Sequence, residues 1–152
     1  MIVSVGQPAP DFELPDQHGR PVRLSSFRGR SAVVLVFYPF AFTPTCTGEI
    51  CAIRDEGAGL SRPDAQVLAV SCDPVPSLRV FAEQHGVEYP LLSDFWPHGE
   101  VSRTYGAFLE ERGMATRATF VIDREGTVRW SVLNSPGEAR NTQDYLKVLA
   151  DL

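Results

Sequence analysis

The sequence lacks the features of a membrane-spanning, exported or nucleic-acid-binding protein. Its longest apolar run is the 11 residues from Ala32 to Phe42, whereas a transmembrane helix needs about 20. The first ten residues contain no cationic segment followed by an apolar one, so we expect a cytoplasmic protein. A net charge of -5 provides no polybasic surface for phosphate backbones or anionic lipids, which disfavours nucleic-acid and membrane partners.

Cysteine is scarce, and the number and spacing of the cysteines indicate neither a disulfide framework nor a metal site. The chain has three cysteines, an odd number without an export signal, which favours free thiols with redox chemistry. They are Cys46, Cys51 and Cys72. Neither Cys-x2-Cys nor His-x3-His occurs, and His18, His85 and His98 lie in separate turn-like segments. We therefore expect no metal and no cofactor.

Internal repeats, low-complexity tracts and long Gly/Ser-rich or Pro-rich linkers are also missing. The 152 residues are 43% hydrophobic and 22% charged, which is enough apolar surface for a core without disulfides. These properties predict a single domain over residues 1–152.

The apolar patterns predict a mixed sheet. Phe12–Leu14 and Val22–Leu24 alternate apolar and polar residues around a turn, which indicates an N-terminal β-hairpin. The segment from Ala32 to Tyr38 is apolar at every position, as in a central strand covered on both faces, and Pro39 ends it. A second buried strand is predicted over Gln66–Ser71.

Predicted helices alternate with these strands. One helix is predicted over Glu49–Leu60, another ends near Gly86, and a last one carries Leu146 and Leu149. Two further strands, from Ala118 to Asp123 and from Thr127 to Leu133, read as a tight hairpin. Strand–helix–strand alternation favours parallel pairing with right-handed crossovers. The predicted fold is α/β and thioredoxin-like, a mixed central sheet flanked by helices.

The segment with the clearest chemistry follows the central strand. Open α/β sheets place their sites at the carboxyl ends of strands, and Cys46 lies there, where a helix is expected to begin. Unpaired backbone N–H groups and the helix dipole in a first turn favour thiolate over thiol. Thr43 can turn a hydroxyl toward the sulfur or its substrate, and Pro39 provides an apolar shield.

This segment resembles the peroxiredoxin family. The pattern Pro39-x3-Thr43-x2-Cys46 is that family's active-site motif, and Glu49 follows the cysteine by three residues. Segments that look like peroxiredoxin segments occur in the same order over nearly the whole chain, at residues 6–12, 90–94 and 117–123. Residues 93–99 most resemble the alkyl hydroperoxide reductase E type, a one-cysteine branch. The Cys-x4-Cys spacing to Cys51 is instead similar to the bacterioferritin comigratory protein, or peroxiredoxin Q, branch.

The resemblance implies a thiol-dependent peroxidase that reduces hydrogen peroxide and organic hydroperoxides. The Cys46 thiolate would attack a peroxide oxygen and become a sulfenate. Thr43, the Cys46 backbone N–H and Arg117 would stabilise the developing charge, and Glu49 would orient Arg117 in a supporting role, although its charge opposes thiolate formation. The reductant would be thioredoxin if Cys51 resolves the sulfenate, and otherwise mycoredoxin or a low-molecular-weight thiol.

The role of Cys51 depends on helix geometry. Positions five apart in an ideal helix place their Cα atoms about 8.6 Å apart, beyond the limit of about 7 Å for a disulfide. We therefore expect an intact helix in the reduced protein, and unwinding if Cys51 is the resolving residue. The alternative is a half-buried cysteine with no redox task. For Cys72, at the end of a buried strand, plain packing is favoured over a secondary resolving role or a thiol for mixed-disulfide exchange.

Two questions stay open at this point. A peroxide-oxidised redox sensor or holdase of the same fold would carry the same motif, whereas a thiol–disulfide oxidoreductase needs a Cys-x-x-Cys that is absent. A group of apolar residues near the site is usually core, but it also suits the interface of a homodimer. These residues are Phe40, Phe42, Phe95, Trp96 and Pro97.

Overall fold

The apolar segments of the chain form the strands of one central sheet. The computed structural model describes residues 2–57, 60 and 64–152. Along the chain the elements are β1 (Glu13–Pro15), β2 (Pro21–Arg23), a 3-10 helix (Leu24–Phe27), β3 (Ala32–Phe37), α1 (Pro44–Glu56), β4 (Ala65–Ser71), α2 (Val75–His85), β5 (Leu91–Ser93), α3 (Glu100–Thr104), β6 (Phe108–Leu109), β7 (Met114–Ala115), β8 (Arg117–Ile122), β9 (Val128–Asn134) and α4 (Thr142–Ala150).

The central sheet is mixed, as the alternation of strands and helices predicts. Its spatial order is β5-β4-β3-β8-β9. β3 pairs parallel with β4, and β4 pairs parallel with β5. On its other side β3 pairs antiparallel with β8, which forms a hairpin with β9. β3 and β8 are buried at every residue, because both lie in the interior of the sheet with cover on both faces.

The alternation of side chains along β3 separates two hydrophobic clusters. Val34 and Tyr38 point to the face that α1, α2 and α4 cover, and Cys46 belongs to the same cluster. Leu35 and Phe37 point to the opposite face, where the N-terminal strands and Tyr105 pack. The predicted N-terminal hairpin is present as the antiparallel pair β1–β2.

The structure corrects the boundaries predicted for the helix that carries the site. We predicted Glu49–Leu60, of which residues 58–59 lie outside the described part of the chain, but α1 begins at Pro44 and ends at Glu56. Proline is favoured in the first turn of a helix, and Gly57, with a φ of 49°, stops it. The apolar period starts only at Ile50, so it located the body of the helix and missed its first turn. Consequently Cys46, Glu49 and Cys51 share one helix.

None of the helices in the described ranges is long and apolar enough to cross a membrane.

Candidate active site

Cys46 lies in the first turn of α1, immediately beyond the carboxyl end of β3. Thr43 is the N-cap residue and Pro44 opens the helix, so Cys46 is the third helical residue. Backbone N–H groups in this turn have no acceptor within the helix. The side chain of Cys46 has no exposed surface. The sulfur is therefore held in a dry environment, close to the positive end of the α1 dipole.

Arg117 provides a direct partner for the sulfur. It is the first residue of β8, the antiparallel neighbour of β3, and its side chain is 2% exposed. Its Nη2 donates a hydrogen bond to Cys46 Sγ at 3.1 Å. Its Nε donates to the carbonyl of Pro136, and its Nη1 donates to the Glu49 carboxylate. The guanidinium is thus fixed from three directions with one nitrogen aimed at the thiol.

Glu49 is held by a second arginine that sequence analysis did not identify. Arg140 donates to the Glu49 carboxylate from its backbone N at 2.6 Å, from Nε at 2.9 Å and from Nη2 at 3.0 Å. Burial alone would raise the pKa of Glu49, but the hydrogen bonds and charge of Arg140, with the charge of Arg117, hold it below its ordinary value. Glu49 is therefore an anion in the folded protein.

Arg140 also joins the strands that flank the site. Its Nη1 donates to the carbonyls of Phe37 and Ala118 and to the hydroxyl of Thr119, at 2.8 to 3.0 Å. The side chains of Arg140 and Glu49, which form an ion pair, are only 2% and 4% exposed. Nothing in the spacing of residues 135–141 indicates this, because Arg140 lies 91 residues from Glu49 in a loop before α4.

The buried charged side chains beside Cys46 do not cancel one another. Arg117 and Arg140 contribute two positive charges and Glu49 contributes one negative charge, leaving one positive charge beside the sulfur. The negative charge of Glu49, which we expected to oppose thiolate formation, is in contact with both arginines.

Thr43 and Pro39 lie in the loop between β3 and α1. Pro39 is buried at the end of the strand. The Thr43 hydroxyl donates to the carbonyl of Phe40 at 2.8 Å, so its hydrogen is not directed at the sulfur. That it turns toward a bound substrate stays a prediction. Phe42, which precedes Thr43, adopts a left-handed φ of 69°, a conformation that costs a non-glycine residue energy and is common at functional sites.

The three cysteines are free and differ in their surroundings. The helix is continuous through Cys46 and Cys51, as expected for the reduced state, and Cys51 is half-buried. Cys72 follows β4 and is buried. Burial, and then the charge of Asp94, raise the pKa of Cys72 to about 11, which is consistent with packing rather than nucleophilic chemistry.

Tyr38 is another residue near the site that sequence analysis did not single out. Its side chain has no exposed surface, and its hydroxyl lies close to the Ser71 side chain. The only sequence signal is a polar atom inside an otherwise apolar strand.

As for metals, no three His, Cys, Asp or Glu residues in the described part of the chain are grouped so that they could hold an ion.

Comparison with known proteins agrees with this geometry. The family model described as AhpC/TSA matches residues 5–131. The chain is 45% identical over 151 residues to alkyl hydroperoxide reductase E of Mycobacterium tuberculosis, covering 99% of both chains. The crystal structure of peroxidoxin BcpB from Mycobacterium tuberculosis superposes with a TM-score of 0.85 at 37% identity, covering 97% of each chain. AhpC of Enterococcus faecalis gives a TM-score of 0.87 at 29% identity, covering 99% of this chain and 93% of that one.

These relatives match the chain in sequence, in fold and over almost its full length, which confirms the thioredoxin-like fold and the resemblance first seen around Cys46. The chain therefore belongs to the AhpC/TSA family of peroxiredoxins, and it is a thiol-dependent peroxidase.

Proposed function

We propose that Cys46 is the nucleophile with which this peroxidase reduces hydrogen peroxide and organic hydroperoxides. The observation that carries the proposal is the 3.1 Å hydrogen bond from Arg117 Nη2 to Cys46 Sγ. A charge-assisted donor at a buried sulfur stabilises the thiolate, which is the attacking form. Cys51 and Cys72 have no such contact among the described residues.

The reaction follows from this arrangement. The Cys46 thiolate attacks one peroxide oxygen in line with the O–O bond, so that an S–O bond forms as the O–O bond breaks. The sulfur is oxidised by two electrons to the sulfenate, and the other oxygen leaves as an alkoxide or hydroxide that takes a proton. Arg117 and the N–H groups of the first turn of α1 offset the negative charge that moves from sulfur to oxygen. Glu49 and Arg140 act by fixing Arg117.

The same ionic contacts bear on how the sulfenate is reduced. A Cys46–Cys51 disulfide requires the first turns of α1 to unwind, and Glu49 lies between these two cysteines. Unwinding would withdraw Glu49 from both arginines and leave buried charges unpaired, which is costly. This favours reduction by an external thiol, such as mycoredoxin or a low-molecular-weight thiol, over Cys51 followed by thioredoxin.

Mass spectrometry after one equivalent of peroxide tests this choice. The external route predicts an added oxygen at Cys46 with Cys51 free. A Cys46–Cys51 crosslink as the main product would instead identify Cys51 as the resolving residue, and thioredoxin would then be the expected reductant.

We further propose that the protein is a homodimer. Phe42, Phe95 and Trp96 are 51%, 48% and 70% exposed, although such side chains are more often core. Large exposed apolar side chains are typical of an interface, and Phe95 and Trp96 lie together against His98. Gel filtration with light scattering in dilute reduced solution is expected to give twice the chain mass, and a monomer would contradict the proposal.

Stopped-flow Trp fluorescence of the reduced protein tests the peroxidase reaction itself. Mixing with hydrogen peroxide and with an organic hydroperoxide is expected to give a rapid change for each, followed by repeated turnover when a reducing thiol is present. Oxidation once per chain with no recycling by thioredoxin, mycoredoxin or a small thiol would instead indicate a redox sensor or holdase.

A further inference from the structure

Asp73 is a buried carboxylate that bonds to the loop between β3 and α1. It lies just beyond the end of β4, and it is 9% exposed. Its Oδ2 accepts hydrogen bonds from the backbone N–H of Ala41 at 2.9 Å and from the Ser71 hydroxyl at 2.6 Å. Ala41 lies within the loop, between Pro39 and Thr43. Asp73 therefore connects the end of β4 with the segment that carries the motif residues.

The carboxylate of Asp73 occupies this position without a positive partner. Burial raises its pKa above the ordinary value, and the hydrogen bonds from Ala41 and Ser71 act in the opposite direction. No lysine, arginine or histidine in the described ranges contributes to holding its charge. A buried acid without a cation is unfavourable for folding, and proteins keep such unfavourable groups mainly at functional sites.

The loop that Asp73 contacts needs an external attachment to keep its conformation. Phe42, next to Ala41, has a φ of 69°, and a left-handed conformation persists in a non-glycine residue only when its surroundings fix it. The bond from the Thr43 hydroxyl to the carbonyl of Phe40 closes the loop on itself and does not attach it to the sheet. Among the described hydrogen bonds, the bond to Asp73 is the one that joins residues 39–43 to a side chain outside the loop.

We propose that Asp73 is a positioning residue for the peroxidase reaction, acting through its hydrogen bond to Ala41. That bond fixes the loop, and the loop fixes how Pro39 and Thr43 meet a hydroperoxide that approaches Cys46. The inference rests on the proposed role of Cys46, and its test separates the two.

Two properties of Cys46 depend on different parts of the structure. Ionisation of the sulfur depends on the Arg117 contact and on the first turn of α1. The approach of the peroxide depends on the loop. Loss of the Asp73 bond is therefore expected to slow the reaction with peroxide without moving the pH at which Cys46 ionises. A general loosening of the site would change both.

The test compares Asp73→Ala, which removes the acceptor, with Asp73→Asn, whose amide oxygen keeps an acceptor in the same place. Asp73→Ala is expected to slow oxidation by hydrogen peroxide about ten- to a hundredfold, the effect of a misplacement of about 1 Å at a site. Asp73→Asn is expected to restore most of that loss. Stopped-flow Trp fluorescence gives the oxidation rate constants.

The pH at which Cys46 ionises is measured in the same proteins. Alkylation by iodoacetamide is followed across pH by mass spectrometry of the peptide that contains Cys46. The inflection is expected to be the same in both variants and in the unmodified protein, because the contact from Arg117 is kept.

Asp94→Ala is the matched control. Asp94 is a second buried acid, directly beyond the neighbouring strand β5, and it accepts from the backbone N–H groups of Val101 and Ser102 at 3.2 and 2.8 Å. Both donors belong to α3 and not to the loop. Its removal is expected to lower the melting temperature, as Asp73→Ala does, and to leave the oxidation rate close to that of the unmodified protein.

Equal slowing by Asp73→Ala and Asp73→Asn, equal slowing by Asp94→Ala, no slowing by Asp73→Ala, or a shifted inflection for Cys46 would each overturn the inference. If circular dichroism shows that Asp73→Ala does not fold, Asp73→Glu replaces it, since it keeps the charge and moves the acceptor by one methylene. Oxidation of Asp73→Glu as fast as that of Asp73→Asn would then be the contrary result. If mass spectrometry finds Cys46 unoxidised in the unmodified protein after peroxide, the proposed role of Cys46 fails instead.

Discussion

Two buried cysteines lie beyond the carboxyl ends of neighbouring parallel strands and have opposite electrostatic surroundings. Cys46 lies in the first turn of the helix that follows β3, and Cys72 directly follows β4. Cys46 accepts a hydrogen bond from Arg117, whereas burial and the charge of Asp94 raise the pKa of Cys72 to about 11. Burial therefore does not distinguish these two thiols. With Cys46 as the proposed nucleophile, the difference between them is the sign of the nearest charge.

Exchanging each sulfur for a hydroxyl gives the largest contrast. Cys46→Ser is expected to lower the rate of hydroperoxide consumption by at least about a thousand-fold, because a serine hydroxyl is not ionised near neutral pH. Cys72→Ser is expected to keep the rate within about twofold, since a thiol with a raised pKa is not the nucleophile. The assay is peroxide consumption with excess reducing thiol, and comparable losses in both variants would contradict the comparison.

Removing the positive charge of Arg117 makes the surroundings of Cys46 more like those of Cys72. Arg117→Met is expected to slow oxidation of the protein by about a hundred- to a thousand-fold, the effect of losing a preorganised donor at the reacting atoms. The control is Arg129→Met, which removes a guanidinium paired with Asp123 near the surface. Stopped-flow rate constants and circular dichroism of both variants separate chemistry from folding. Equal rates in the two variants would show that Arg117 is not needed.

The pH dependence of Cys72 alkylation tests whether the pKa of this thiol is raised. In a Cys46→Ser/Cys51→Ser chain, Cys72 is the remaining thiol, and a pKa of about 11 leaves its thiolate fraction at pH 8 about two hundred times below that of an ordinary cysteine. The rate of reaction with iodoacetamide is expected to be still rising at pH 10. Asp94→Asn is expected to move the inflection to lower pH, and an inflection near 8.5 in the parent would contradict the assignment.

The smallest expected effect concerns the ion cluster beside Cys46, which consists of Glu49, Arg117 and Arg140 and has no counterpart in the surroundings described for Cys72. Glu49→Gln leaves two buried arginines without their anion and is expected to cost about 3 kcal/mol of unfolding free energy at pH 7. The pKa of Glu49 is lowered in the folded protein, so this contribution is complete above the unfolded value of about 4.3 and is lost as the pH falls through the folded value. Urea denaturation from pH 7 to 3 measures it.

The comparison variant for that experiment is Glu110→Gln, which removes an exposed carboxylate paired with Arg103. It is expected to change stability much less than Glu49→Gln at every pH, because solvent screens an exposed ion pair. If the two glutamine variants behave alike, the ion cluster around Glu49 does not stabilise the fold.

Sequence patterns predicted those parts of the fold in which the apolar pattern of a segment matches its burial in the folded protein. The strand beginning at Ala32 is apolar throughout and lies in the interior of the sheet, and its predicted start matches the structure. The residues from Pro44 to Gly48 include no apolar period, so the first turn of α1 was predicted only from the position of Cys46 after the central strand. The short hairpin of β6 and β7 was also not predicted, since two-residue strands carry no periodic signal.

The site could be predicted only where residues lie within a short motif. Pro39, Thr43, Cys46 and Glu49 occur within 11 positions, and their resemblance to a family motif placed them together. Arg140 interacts with Glu49 through the three-dimensional path of the chain, 91 residues later. Tyr38 was read as one more apolar residue of a strand, because the surroundings of a buried hydroxyl are a property of the packed structure.

The position of Arg140 has a consequence for where this protein can be cut. The match to the family ends at residue 131, before the loop that carries Arg140. A truncation at that boundary would keep Cys46, Glu49 and Arg117, yet would strip the carboxylate of three of its hydrogen bonds. The loop that carries Arg140 is therefore part of the proposed site, and a fragment or fusion that ends at residue 131 would keep the motif and leave Glu49 paired with Arg117 alone.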